Sequence, residues 1–71
     1  MEIKVKVRFN ASNERFETYG RNMYLIYLPF EEDSDSKKII STLLSRKTGT
    51  PVNRIIFKNK DVMGNWIFQL N

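Results

Sequence analysis

The chain has 71 residues, of which 41% are hydrophobic and 28% charged, and its 12 Lys and Arg against 8 Asp and Glu give a net charge of +4. So short a chain buries only about 60% of its unfolded surface and cannot divide into two cores, which predicts one small domain over residues 1–71, and its apolar content excludes disorder. It has no cysteine and no histidine, so disulfide staples, thiolate nucleophiles, the usual zinc ligands and a side chain that titrates near neutral pH are excluded.

The chain opens with MEIKVKVRF, in which Ile3, Val5, Val7 and Phe9 alternate with Glu2, Lys4, Lys6 and Arg8. Period two predicts a half-buried strand. Turn formers follow at Asn10, Ser12 and Asn13, then a short RFETY segment able to add strand pairing, then Gly20 and Asn22. MYLIYLP, Met23 to Pro29, reads as a second main strand that stops at a proline unable to donate to a ladder. Both its sides are apolar, so either Met23, Leu25 and Tyr27 or Tyr24, Ile26 and Leu28 face the core; alternation leaves the choice open.

In EEDSDSKKIISTLLSRKTGTP every signal agrees on a helix from about residue 34 to 48. Glu31, Glu32, Asp33 and Asp35 suit the positive end of the helix dipole, and Asp33, Ser34 or Ser36 can accept from free amides there. Ile39, Ile40, Leu43 and Leu44 recur on one side; Arg46 and Lys47 precede the terminators Gly49 and Pro51. RIIFKNK, Arg54 to Lys60, predicts a third strand, and NWIFQL a fourth, with a connection through Asp61 and Gly64. There is no repeat, low-complexity tract or linker. The predicted fold is α+β in two layers: β-β-α-β-β, a four-stranded mixed sheet covered on one face by the helix. One helix cannot cover both faces, so the outward residues are the candidates for a partner surface.

Lys4, Lys6 and Arg8 project from one side of the first strand, and Arg54 and Lys58 alternate with apolar residues on the third. If those sides coincide, the five form a basic patch for nucleic acid, with Tyr24 or Tyr27 as a stacking platform. A solvated face with edge-protecting lysines explains the same residues. The acids before the helix do not follow the EF-hand spacing, and helix-start electrostatics accounts for them, so no metal is expected. Ser12, Ser34, Ser36 and Ser41 have no histidine to activate them, and with only Gly20, Gly49 and Gly64 there is no phosphate-cradling loop. No enzyme activity, catalytic residue or cofactor is expected. Trp66 and the phenylalanines read as core.

KVKVRFNAS, YLIYLPF, the helix ending in Gly-Thr-Pro and RIIFKNK together resemble the YggU-like family of small uncharacterised α+β proteins, over essentially the whole chain. Of the Asp-Gly-Lys-Ala-Asn run that opens the helix in that family, Asp33 is the residue in common. The resemblance implies four strands packed on helix and supplies no catalytic residues. KKIISTLLSRKTGTPVNRIIFKNKDV is also similar to the helix, Gly-x-Pro turn and following strand of ubiquitin-like proteins, which share the β-β-α-β-β order; the chain ends Leu70, Asn71 without the diglycine tail that conjugation needs.

The expected function is that of a small non-enzymatic protein-interaction module acting through its open sheet face. The alternatives are a nucleic-acid-binding module using Lys4, Lys6, Arg8, Arg54 and Lys58, and a ubiquitin-like fold without a conjugation tail. The longest apolar run, Met23 to Leu28, falls short of the roughly 20 residues a membrane helix needs, and the amino terminus reads as strand, so a cytoplasmic protein without membrane contact is expected. The sequence sets no oligomeric state and names no partner.

Overall fold

The computed structural model describes residues 1–71. The elements follow in the order β1 (Glu2–Arg8), β2 (Arg15–Gly20), β3 (Met23–Tyr27), α1 (Ser36–Thr48), a 3-10 turn (Val52–Arg54), β4 (Ile55–Lys60) and β5 (Trp66–Leu70). The fold is α+β, with one helix on a mixed five-stranded sheet of order β2-β3-β1-β5-β4.

The expected four strands are thus corrected to five, and the order to β-β-β-α-β-β. RFETYG supplies the extra strand, at the sheet edge, antiparallel to β3. An edge strand needs little apolar surface, and β2 contributes one large side chain to the core side, Phe16, opposite Ile26. The same correction separates the chain from the β-β-α-β-β order that the ubiquitin-like alternative implied.

β1 sits at the centre, parallel to β3 and antiparallel to β5. Because β3 lies between β1 and β2, the chain leaves β1, passes the end of β3 and returns through the β2–β3 hairpin. Asn10 turns the chain at φ 57° and Asn22 closes the hairpin at φ 58°, the left-handed region that Asn tolerates. Beyond the strand ends, Leu28 N–H donates to Arg8 O (2.8 Å) and Ala11 N–H to Leu28 O (3.0 Å), so the crossing segment stays tied to β3.

One question the sequence left open is closed by burial. Ile3 and Val5 of β1, Ile26 and Leu28, Ile55, and Trp66, Phe68 and Leu70 of β5 form one core with Ile40 and Leu44 of the helix. Tyr24, Ile26 and Leu28 therefore face α1, and Met23, Leu25 and Tyr27 face away, since side chains alternate along a strand. An aromatic chain extends the core: Phe57 meets both Trp66 and Phe68 with centroids 5.4 Å apart, and Phe9 reaches Trp66 at 6.2 Å.

The helix starts at Ser36, two residues later than expected, and Asp35 at its N-cap makes no side-chain cap bond. Ser36 Oγ instead accepts from Asp33 N–H (2.9 Å), and Asp33 Oδ1 from Asp35 N–H (2.9 Å), which ties off the turn ahead of the helix. The terminator is as the sequence signalled: Gly49 takes φ 77° and its N–H donates to Ser45 O. The buried stripe differs from the expected one. Ser36, Ile40 and Leu44 are fully buried, four residues apart, while Ile39 and Leu43 flank them half-buried. No helix is long and apolar enough to cross a membrane.

Replacing fully buried Leu44 with Ala should destabilise the fold by about 2 to 5 kcal/mol, and Leu43 to Ala measurably less, because only the first opens a closed cavity. Urea denaturation of both variants checks this; the reverse ranking would place the stripe on the wrong row.

Candidate functional site

The face of the sheet turned away from α1 is built in lanes. On β1, alternation that buries Ile3 and Val5 sends Lys4, Lys6 and Arg8 to this side. Their cross-strand partners on β3 are Met23, Leu25 and Tyr27 respectively. Side chains two apart on a strand stand about 6.6 Å from one another, and neighbouring strands about 4.8 Å, so a lane of three cations runs beside a lane of three apolar residues for about 13 Å. On the other side of β1, Lys4 pairs with Ile67, which is only 6% exposed although it lies outside the core layer, and Ile67 pairs with Asn59. On the far side of β3, Glu17 stands opposite Leu25 and Arg15 opposite Tyr27. Arg15 pairs with Glu17 and holds its guanidinium 5.6 Å from the Tyr27 ring centre.

Charge is unevenly divided between the layers. The segment from Glu31 to Thr48 carries four acids (Glu31, Glu32, Asp33, Asp35) and four bases (Lys37, Lys38, Arg46, Lys47) and is neutral. The excess of +4 therefore belongs to the strands and their remaining loops.

Of the five residues expected to form a basic patch, the structure brings three together. Lys4, Lys6 and Arg8 share the central lane. Lys58 lies in the β4 bulge between Phe57 and Asn59, two strands and about 10 Å from β1. Arg54 is not in a strand: it ends the 3-10 turn that follows Pro51, whose fixed φ and missing N–H favour a turn there. β4 runs in the direction of β1, and Ile55 stands opposite Leu70, whose N–H donates to Met1 O. Arg54 is thus level with the start of β1, roughly 25 Å along the strand direction from Arg8. Of the two candidate platform residues, Tyr27 lies on the open side, whereas Tyr24 turns inward against Phe16 (5.4 Å). The lane of Met23, Leu25 and Tyr27 was not singled out by sequence, although MYLIYLP, apolar on both sides, is its signature.

A concave region of about 530 Å³, on the helix side of the sheet, lies between the helix start and the β4–β5 hairpin and is lined in part by Phe57 and Trp66. Lys37 Nζ sits 4.5 Å over the Phe57 ring centre, and Lys60 Nζ 4.5 Å over that of Trp66. Lys60 also pairs with Glu32 at 2.6 Å. These contacts seal the rim of the core and join the β3–α1 connection to β4.

The β4–β5 turn is held by Asp61. Its Oδ1 accepts from the N–H groups of Met63 and Asn65 (2.9 Å each), its Oδ2 from Asn65 Nδ2 (3.1 Å), and Gly64, at φ 83°, donates to Asp61 O (3.0 Å). The Asn65 side-chain hydrogen bond, then those from the Asn65 and Met63 amides, hold the Asp61 carboxyl below its ordinary value, and the charge of Lys4 acts in the same direction.

Searched against family models, curated proteins and solved structures, the chain matches none of them.

The Asp61 bonds have a pH signature. A folded-state pKa below the unfolded one means that the carboxylate stabilises the fold above the ordinary value of 3.8, and that this contribution is lost as pH falls through the lowered value. Wild type should lose more stability between about pH 5 and about pH 2 than Asp61→Asn does. Denaturant midpoints across that range measure the difference; parallel curves for the two proteins would contradict the assignment.

Proposed function

We propose that the chain is a non-enzymatic protein-interaction domain of the cytoplasm that docks its partner on the open face of the sheet. The observation that supports this most is the pair of lanes, Lys4-Lys6-Arg8 beside Met23-Leu25-Tyr27, on a face to which the chain brings no second layer. Cations alone describe a solvated surface; a matched row of half-buried apolar side chains gives a partner area to desolvate. The charges then set orientation and encounter rate.

A protein suits this face better than a nucleic acid. Sheets that bind single strands offer several rings to successive bases, whereas two of the three apolar-lane residues are aliphatic and the Tyr27 ring already has Arg15 beside it. One observation favours the nucleic-acid reading, namely that the whole charge excess lies outside the neutral segment around α1. As for catalysis, Ser36 is buried and its Oγ accepts the Asp33 N–H, which leaves no activated hydroxyl there. The YggU-like resemblance remains our family proposal and adds no activity.

Replacing Lys4, Lys6 and Arg8 together with Gln tests the reading. These are lane positions on the open side, so the folded spectrum and urea midpoint should barely change. Partner retention from cell extract should drop sharply, and nuclease treatment should not affect wild-type retention. If retention disappears with nuclease, and binding to oligonucleotides shows a salt slope that flattens by about one unit for each phosphate contact removed, the nucleic-acid reading replaces ours.

A further inference from the structure

We infer that the occupant of the open face is an amphipathic helix carrying acidic residues along one flank of its apolar stripe; the inference rests on the open-face reading above. The spacings lead to it. Met23, Leu25 and Tyr27 stand about 6.6 Å apart along β3, while residues four apart on a helix are separated by about 6.0 Å. Residues at i, i+4 and i+8 lie on a row inclined by about 26° to the helix axis, so a helix crossing β3 at about that angle sets three apolar residues roughly 6.7 Å apart over the three of the lane.

Width then fixes the charge. A helix is about 10 Å across and strands about 4.8 Å apart, so a helix centred on β3 reaches β1 on one side and β2 on the other. On the β1 side it meets Lys4, Lys6 and Arg8; on the β2 side it meets the self-compensated pair Arg15 and Glu17. Acids are called for along one flank only, and polar residues suffice on the other. The cations stay at the rim of such a contact and keep part of their hydration. A second sheet laid on this face would instead enclose the central cation lane beneath an apolar layer, which is why the occupant is a helix.

The same charges exclude a second copy of the chain's own helix. The exposed side of α1 carries Lys37, Lys38, Thr42 and Arg46, so it would bring like charge to the Lys4-Lys6-Arg8 lane. Partner and chain are different molecules on this reading, with the partner's helix forming a third layer over the sheet.

The experiment uses the full chain, isotopically labelled, with three synthetic peptides of roughly 18 residues, or five turns. All share one leucine stripe. The first has Glu at three positions spaced by four along one flank, the second has Lys there, and the third is the Glu peptide with a central proline that breaks the helix. Backbone amide shifts should move with the Glu peptide at Lys4 to Arg8 and Met23 to Tyr27, and it should bind about tenfold more tightly than either of the others, the size expected from three rim charge pairs or from loss of the helical match. Lys4→Gln, Lys6→Gln and Arg8→Gln together should remove most of that preference. Equal binding by the proline peptide at the same amides overturns the helix and leaves the open-face reading standing. Equal binding by the Lys peptide overturns the acidic flank. Shifts confined to α1, or an oligonucleotide that displaces the Glu peptide from the strands, overturn both the inference and the reading beneath it. No binding by any peptide overturns the inference alone, and the retention assay with the triple variant then decides the open-face reading.

Discussion

One helix has to cover a five-stranded sheet, and it covers one face. α1 has 13 residues, about 20 Å, against a sheet about 19 Å between its outer strand axes. Its buried residues Ile40 and Leu44 join one core with Ile3, Val5, Ile26, Leu28, Ile55, Trp66, Phe68 and Leu70. No second helix or sheet lies on the other side, where neighbouring side chains cover Ile67 alone to 6% exposure. The division of residues between a closed face and an open one, and with it the placing of every candidate contact, follows from that shortage of layers.

β1 makes the division sharp because it is paired on both sides. Val5 stands opposite Tyr24 in one direction and Trp66 in the other, so a register slip in β1 would turn its lysines into the core on two interfaces at once. The strict alternation of Ile3, Val5 and Val7 with Lys4, Lys6 and Arg8 is what prevents the slip. The cation lane is thus both a device that fixes register and the surface offered to a partner. Edge strands can be looser: β4 carries a bulge at Lys58, and β2 shifts register between Thr18 and Gly20.

What was legible in the sequence followed from strong local signals. The alternation of β1, the helix with its Gly49 and Pro51 stop, and WIFQL as the last strand all stand in the structure, although the helix buries Ser36, Ile40 and Leu44 in place of the full Ile39, Ile40, Leu43 and Leu44 row, and β5 buries Ile67 as well as its inward side. β2 was visible only as a segment able to pair, because a strand at the edge exposes Thr18 and half-buries Glu17, and so loses the periodic signal. The inward side of β3 could not be chosen from a run apolar on both faces; the partners Val5 and Val7, distant in sequence, decide it. Ser36 at the head of the buried stripe was hidden for a related reason, since a small hydroxyl is buried there by satisfying Asp33 N–H rather than by apolarity. Sequence placed the basic residues only in part. Three of its members share a strand and hence a side, whereas Arg54 and Lys58 depended on a 3-10 turn and a bulge that no two-residue period reveals.

The most direct measurement of where function lies is a site-specific photo-crosslink in cells. A benzophenone side chain is placed at Leu25, on the open face, or at Thr42, on the exposed side of α1. If the open face is the working surface, light should give a discrete adduct from position 25 that resists nuclease and is cleared by protease, and little from position 42. Adducts from position 42 alone would put the function on the helix side and contradict the central claim.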